Sequence, residues 1–440
     1  EIAKFCPPLQ PVVQNTPFQP NYCGVNSFGL GGVNVHTILR ANKKELTKES
    51  YLIANKIARL VNYCGRTQES IDHMFNFIEN NNNRSKVTRD FLGLLNDTVK
   101  SRPTFQSGGF PYRASMIIKE KGLNDDGTIA YDYIKETSKI VGMARPIWFF
   151  FSGMGSQWTG MGKSLMVIDK FAQTIHKCDA ILQQFQVNLL HILTSQDETA
   201  LDSIVHQFVA ISAIQIALSE VLKELEIHPD GVIGHSFGEI ACAFADKCLT
   251  LEQAMICAYW RGKVLEDSNI PEGKMVAVGL SWEEVIKRCP QNVYAACDNA
   301  YDLVTISGLV EDTTKFMKKL ESEGVFVREV VGQHLKPFHT NFIKPIANIL
   351  ESRLKNVIPN PKLRSKRWIS TSVPEKNWGD ELAQYASAKY FVNNLAKPVL
   401  LTSSLNYIPK DAIVIEIAPH TLFASLFKRT LQYLVIQPLV

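Results

Sequence analysis

Gly231-Val232-Ile233-Gly234-His235-Ser236-Phe237-Gly238-Glu239 is the stretch whose reading decides the fold. Gly231-Val232-Ile233 is a short apolar run of the kind that buried parallel strands carry. Gly234 and Gly238 bound a tight turn with one serine at its tip. The small residues Ile240-Ala241-Cys242-Ala243-Phe244-Ala245 then suit a helix packed closely behind that turn. Strand, sharp turn and helix in that order lift the hydroxyl out of a strained corner, where the N–H after the serine faces a developing oxyanion. Ser236 is therefore a candidate nucleophile for acyl transfer. The Gly-x-Ser-x-Gly pattern also arises by chance, so the rest of the chain has to carry the assignment.

Outward from the elbow, the chain alternates strands and helices, the pattern of an α/β core with parallel strands. Pro146-Ile147-Trp148-Phe149-Phe150-Phe151 is a buried strand that runs into the glycine turn Ser152-Gly153-Met154-Gly155-Ser156-Gln157. A long helix is expected over 203–225. Residues 274–331 read as strand, helix, strand, strand, helix, strand, the ferredoxin-like order, inserted into the larger domain. The core resumes with a helix after Thr340 and strands at 367–370 and 412–417. Upstream, 47–64 and 68–80 read as helices, 79–84 as a loop and 113–118 as a strand. The glycine loop 23–32 feeds an alternating strand over 33–39. Its glycine spacing does not match a dinucleotide-binding turn.

With 440 residues, 45% hydrophobic and 20% charged, the chain suits two or three globular domains. A net charge of +4 is too small and too dispersed to indicate a nucleic-acid partner. Nine cysteines without C-x-x-C spacing read as reduced, buried thiols of a cytoplasmic protein. No stretch reads as a membrane span, and no metal-ligand cluster is evident. The glycosylation sequons at Asn83 and Asn96 have no secretory context and read as chance. The abrupt start reads as the interior of a longer polypeptide.

A serine needs a base. Of ten histidines, His339 in Pro337-Phe338-His339-Thr340 follows the last small-domain strand, where two subdomains should meet in a cleft. His420 in Ala418-Pro419-His420 is the other reasonable base, and His235 is expected to point away at the turn. Arg261 lies on an apolar helix in Tyr259-Trp260-Arg261-Gly262. A buried arginine needs an anion; spacing alone favours a structural Asp or Glu, and the functional reading is a clamp for a substrate carboxylate. The backbone N–H groups of Met154 and Phe237, from two turns, make a candidate oxyanion hole. Gln157 is expected to tie down the first turn.

Four motifs, Ser152-Gly153-Met154-Gly155-Ser156-Gln157-Trp158, the Gly234–Gly238 elbow with Glu239, Tyr259-Trp260-Arg261-Gly262 and Phe338-His339, stand in an order that resembles the malonyl/acetyltransferase region of animal-type fatty acid synthase. More broadly it is similar to the transferases of fatty acid and polyketide synthesis. The resemblance implies an α/β-hydrolase-like parallel-sheet core with an inserted ferredoxin-like subdomain (about 273–338), preceded by a small α+β linker domain. It divides the chain into a ketosynthase tail (1–42), a linker domain (43–140), the transferase (141–395) and a post-transferase linker (396–440).

The resemblance also assigns roles. Ser236 is the acylated nucleophile and His339 its base, oriented by the backbone carbonyl of Asn394 with no aspartate in a triad. Arg261 binds the malonyl carboxylate, Met154 and Phe237 hold the oxyanion, and Phe338 with Gln157 lines the acyl pocket. Acetyl or malonyl would pass from coenzyme A to Ser236 and on to the phosphopantetheine thiol of an acyl carrier protein. No tightly bound cofactor or metal is implied. The other synthase domains are implied partners, with a dimeric full-length enzyme and a monomeric fragment. The synthase tail lacks catalytic cysteine and histidines, so it should condense nothing. His334-Leu335-Lys336-Pro337 departs from the usual vertebrate pattern and would stiffen or recharge the pocket mouth. Two rival readings remain: a thioesterase-type hydrolase using Ser236 and His420, and a silent scaffold.

Overall fold

The computed structural model describes residues 13–14, 21–29, 32, 34–41, 45–54, 57–101, 109–125, 127–140, 144–330, 336–431 and 435–436. The chain divides into two compact units, residues 1–142 and 143–440.

The first unit begins with an antiparallel ribbon of β1 (Tyr22–Phe28) and β2 (Asn34–Arg40). The expected glycine loop over 23–32 is thus largely strand; Leu30 and Gly31 lie outside the described residues. A second sheet holds β3 (Arg59–Gly65), β4 (Tyr112–Leu123) and β5 (Ile129–Lys139), all antiparallel. Among the described residues, the helix expected over 47–64 is absent. Only a short 3₁₀ turn forms at Lys48–Tyr51, and Leu60 to Gly65 alternate between outward and buried positions, a period of two that a sheet satisfies and a helix does not. Helix α1 (Gln68–Glu79) starts with a capping box between Thr67 and Ser70. It and α2 (Arg89–Ser101) cover the sheet, burying Ile71, Phe75 and Leu92 with Val61 and Met116.

The second unit holds a parallel sheet in the order β12-β7-β6-β14-β15, from β6 (Ile147–Phe151), β7 (Gly231–Gly234), β12 (Trp368–Ile369), β14 (Ile413–Ile417) and β15 (Val435–Ile436). Its centre, β6, is buried on both faces, which the run Ile147-Trp148-Phe149-Phe150-Phe151 dictates. Helices α3 (Asp169–Leu182), α4 (Ile204–Glu224), α5 (Glu239–Ala245) and α6 (Leu251–Glu266) belong to this layer. Helix α4 is long and apolar enough to cross a membrane by length and composition, contrary to the reading that no stretch is. Of its most apolar 18-residue window 78% is buried inside the fold, and it packs with α3 and α6 as a core helix.

The ferredoxin-like subdomain runs β8 (Gly273–Val278), α7 (Trp282–Arg288), β9 (Val293–Ala300), β10 (Leu303–Leu309), α8 (Val310–Ser322) and β11 (Val327–Glu329). Its sheet has the order β11-β8-β10-β9-β13, the first four antiparallel. The fifth strand, β13 (Val399–Leu400), joins parallel to β9 after α9 (Lys344–Val357) and α10 (Ala388–Ala396). The separate linker expected over 396–440 therefore does not form as such. This segment supplies β13 to one sheet and β14 to the other, where it pairs with the central β6.

Candidate active site

Two loops leave the C-terminal ends of neighbouring parallel strands, the place where open α/β sheets bind ligands. After β7, Ser236 adopts a left-handed φ of 53°. The turn has to be tight: a Cβ on Gly238 would sit 2.0 Å from the Phe151 carbonyl oxygen. After β6, the glycine turn passes against the nucleophile: a Cβ on Gly153 would lie 2.9 Å from the His235 carbonyl and 3.3 Å from the Ser236 Cβ. Among the described residues, neither the Met154 nor the Phe237 N–H donates to a protein acceptor. Both donors are left for an oxyanion beside Ser236.

Ser236 Oγ is 2.7 Å from His339 Nε2. His339 is buried, also left-handed (φ 60°), and its Nδ1 lies 2.8 Å from the Lys397 carbonyl oxygen. A carbonyl only accepts, so Nδ1 carries the proton and Nε2 faces the serine as a base. The Lys397 carbonyl thus takes the main part in orienting the ring, and the expected Asn394 carbonyl acts beside it as a weaker backbone acceptor. The chain turns out of α10 just beyond Asn394, which brings the Lys397 carbonyl to 2.8 Å from Nδ1; both carbonyls favour the imidazolium. Burial is the main cause that pushes the His339 pKa down to about 3, with the Arg261 charge adding to it. His339 is neutral and ready to take a proton.

Arg261 projects from α6, whose start is fixed by a capping box between Thr250 and Gln253. It is 2% exposed, and among the described residues no carboxylate lies within 4 Å of it. The structural Asp or Glu pairing favoured by spacing is not found. Its guanidinium lies 5.4 Å from the Phe237 ring centroid and 5.7 Å from that of Phe208, Nη1 donates to Asn394 Oδ1, and Nε is buried without a partner among the described residues. Burial pulls its pKa down to about 9, opposed by the charge of Glu239. A buried cation with an open donor is an anion site.

Ser236, His339, Arg261, Met154, Gln157 and Phe338 all line one cavity of about 580 Å³ between the two sheets of this unit. Gln157 Oε1 accepts from the Gly155 N–H at 2.8 Å, which ties the glycine turn. His235 lines the cavity too instead of pointing away: its Nε2 is 2.9 Å from Asn299 Oδ1 on β9, and burial lowers its pKa to about 4. His420 reaches the same cavity, but Ser236 bonds His339. Lys336 donates to the Ile270 carbonyl at 2.7 Å and is not among the described residues that line the cavity. His334 and Leu335 lie outside the described residues.

Two fully buried carboxylates beside the site carry no role in the sequence reading, although Glu239 stands in the elbow motif. Glu239, at the start of α5, accepts from Trp368 Nε1 (2.6 Å), Tyr390 OH (2.9 Å) and the Thr371 N–H (2.7 Å); burial raises its pKa. Glu416, on β14, accepts from Ser152 Oγ at 2.5 Å and from the Leu422 N–H at 2.9 Å. It thereby joins the glycine turn to the wall at Thr421–Phe423. A glutamate in the apolar run Ile413-Val414-Ile415-Glu416-Ile417 was the available signal.

With this geometry in place, comparison with known proteins gives the class. Residues 148–437 match the acyl transferase domain model, and residues 6–117 match the ketoacyl-synthetase C-terminal extension. The chain belongs to the acyl transferase domain family. Among curated relatives, it is 28% identical to the reducing polyketide synthase DEP5 of Alternaria brassicicola over 93% of this chain and 18% of that protein. It is equally 28% identical to the highly reducing polyketide synthase claI of Penicillium crustosum, over 92% and 18%. The chain thus spans about a fifth of the length of these relatives. The acyltransferase domain from module 8 of the salinomycin polyketide synthase shares the fold with a TM-score of 0.68 at 19% identity, over 86% of this chain and 90% of that one. FabD from Acinetobacter baumannii does so with a TM-score of 0.57 at 21% identity, over 67% and 94%.

Proposed function

We propose that this acyltransferase loads acetyl and malonyl groups from coenzyme A onto Ser236 and passes them to the phosphopantetheine thiol of an acyl carrier protein. The observation that carries the reading is the Ser236–His339 pair facing a buried Arg261 in one cavity. In the first half-reaction His339 Nε2 takes the Ser236 proton as Oγ bonds to the thioester carbon. The oxyanion is received by the Met154 and Phe237 N–H groups. The C–S bond then breaks and the leaving thiolate takes the proton from His339. In the second half the carrier thiol gives its proton to His339, its sulfur attacks the acyl-serine, and Ser236 regains the proton. The Lys397 carbonyl holds the imidazolium that forms in each half.

Arg261 acts twice. It pairs with the free carboxylate of malonyl, and that pairing offsets the positive charge that depresses the basicity of His339. Malonyl therefore improves its own base. Phe338 and Phe208 form the apolar wall beside the clamp. On this reading the chain needs no tightly bound cofactor, since the phosphopantetheine arrives on the partner. The finer assignment, a segment of an animal-type fatty acid synthase, is supported by the four motifs and their order. The relatives named above are reducing polyketide synthases, and the product released by the whole synthase separates the two.

Intact-mass spectrometry of the protein mixed separately with acetyl-CoA and malonyl-CoA tests the proposal. One acyl adduct with each, absent in Ser236→Ala, is expected. Steady release of coenzyme A without an adduct would favour the hydrolase, and neither adduct nor release would favour the scaffold.

A further inference from the structure

The Asn394 side chain makes contacts that its backbone role does not use. It is 1% exposed on α10, whose start is capped by Ser387 accepting from the Tyr390 N–H. Its Oδ1 accepts from Arg261 Nη1. Its Nδ2 donates to the Ser236 carbonyl oxygen at 2.9 Å and to Ser372 Oγ at 2.7 Å. The amide orientation is fixed by chemistry: a guanidinium has only donors and a carbonyl only accepts, so oxygen must face Arg261 and nitrogen must face Ser236. Behind it, Ser372 Oγ is 3.5 Å from Glu239 Oε1. One carboxamide therefore joins the cation to the strained backbone of the nucleophile.

The choice of Arg261 atom matters. A guanidinium meets a carboxylate bidentately along one of its edges. With Nη1 held by Asn394, the edge built from Nε and Nη2 remains, and Nε is buried with no partner among the described residues. The head lines the cavity that Ser236 faces. Two phenyl rings near the guanidinium confine it without offering a hydrogen bond, so Asn394 is the hydrogen-bonding group that sets its rotation.

We propose that the Asn394 side chain is a positioning residue that aims the Nε edge of Arg261 at the acyl carboxylate and ties that clamp to the Ser236 turn, thereby setting the preference for carboxylate-bearing acyl groups over acetyl. The inference rests on the clamp reading of Arg261 given above. Loss of the carboxamide frees the cation to rotate, so a carboxylate meets a misaimed donor set. Acetyl has no second carboxylate and is affected only through the Ser236 carbonyl contact.

The test is single-turnover loading of Ser236 from malonyl-CoA and from acetyl-CoA, with kcat and KM resolved. It compares the unchanged protein with Asn394→Ala, Arg261→Ala and the double variant. Asn394→Ala is expected to lower malonyl loading by about 10- to 100-fold, the range expected for a lost hydrogen bond to a charged group, and acetyl loading far less. In the Arg261→Ala background it should add nothing to the malonyl loss, the signature of two residues acting as one unit. Equal losses with both thioesters, or additive losses in the double variant, would overturn the inference and leave the clamp standing. Equal losses in Arg261→Ala itself would overturn the clamp. Should Asn394→Ala not fold, Asn394→Asp keeps the size and the acceptor while neutralising Arg261; it should also lose malonyl selectively, and an unchanged malonyl-to-acetyl ratio would overturn the proposal.

Discussion

The two units of this chain bury different things. Among the described residues of unit 1–142, no charged side chain is buried, and Thr88 is the one buried polar group apart from the Tyr63 phenol. In unit 143–440, Glu239, Arg261, His339, Asn394 and Glu416 are all 3% exposed or less. Burying ionisable groups is costly unless each is met by hydrogen bonds. Each carboxylate here has at least three donors, whereas Arg261 keeps an open Nε. The first core is built to pack, and the second keeps charge where acyl groups are handled.

That contrast can be broken by substitution. The largest expected effect is Ser236→Ala, which should reduce acyl loading by about 10⁴-fold or more, since it removes the hydroxyl that His339 Nε2 faces. Rapid-quench assay of adduct formation checks it. Next comes Glu416→Gln, which weakens the hold on Ser152 and so on the turn that carries Met154. A fall in kcat of about 10- to 100-fold with KM little changed is expected, less than or comparable to removing an oxyanion donor outright. In unit 1–142, the equally buried Met116→Ala should cost about 2–5 kcal/mol of stability. The rate per folded molecule should stay as it was, which paired melting and activity measurements would reveal.

Acid sharpens the same contrast. The folded pKa values of His235 and His339, about 4 and about 3, lie below the ordinary 6.5. The unfolded chain therefore takes up protons first, and unit 143–440 should lose stability as pH falls from about 6.5 toward 3. His36 and His73, in the other unit, are exposed. Melting followed by probes in each unit should show the acid loss in residues 143–440 alone from this source. The smallest effect is expected at Lys397, whose side chain is exposed and whose carbonyl does the work. Lys397→Ala should change loading by less than about threefold, in line with surface substitutions.

The elbow was legible because its glycines answer a steric demand that only glycine meets at that packing distance. Buried strands and the ferredoxin-like order were legible because their apolar periods are local. The helix expected over 47–64 failed because its second half alternates with period two and pairs with a strand some fifty residues later. The role of Lys397 left no trace, since a backbone carbonyl has no residue type. Asn394 drew attention for its carbonyl, whereas its side chain makes the contacts to Arg261 and Ser236. Glu416 was hidden in a strand that reads as ordinary core, and only the fold brings Ser152 to it.

The central claim is transfer rather than hydrolysis, and a chase measures it most directly. Enzyme loaded with malonyl on Ser236 is mixed with a carrier protein bearing phosphopantetheine, and the acyl group is followed by mass. The account predicts that the group leaves the peptide containing Ser236 and arrives on the carrier thiol faster than it reaches water. Release as free acid at the same rate with and without carrier would contradict it.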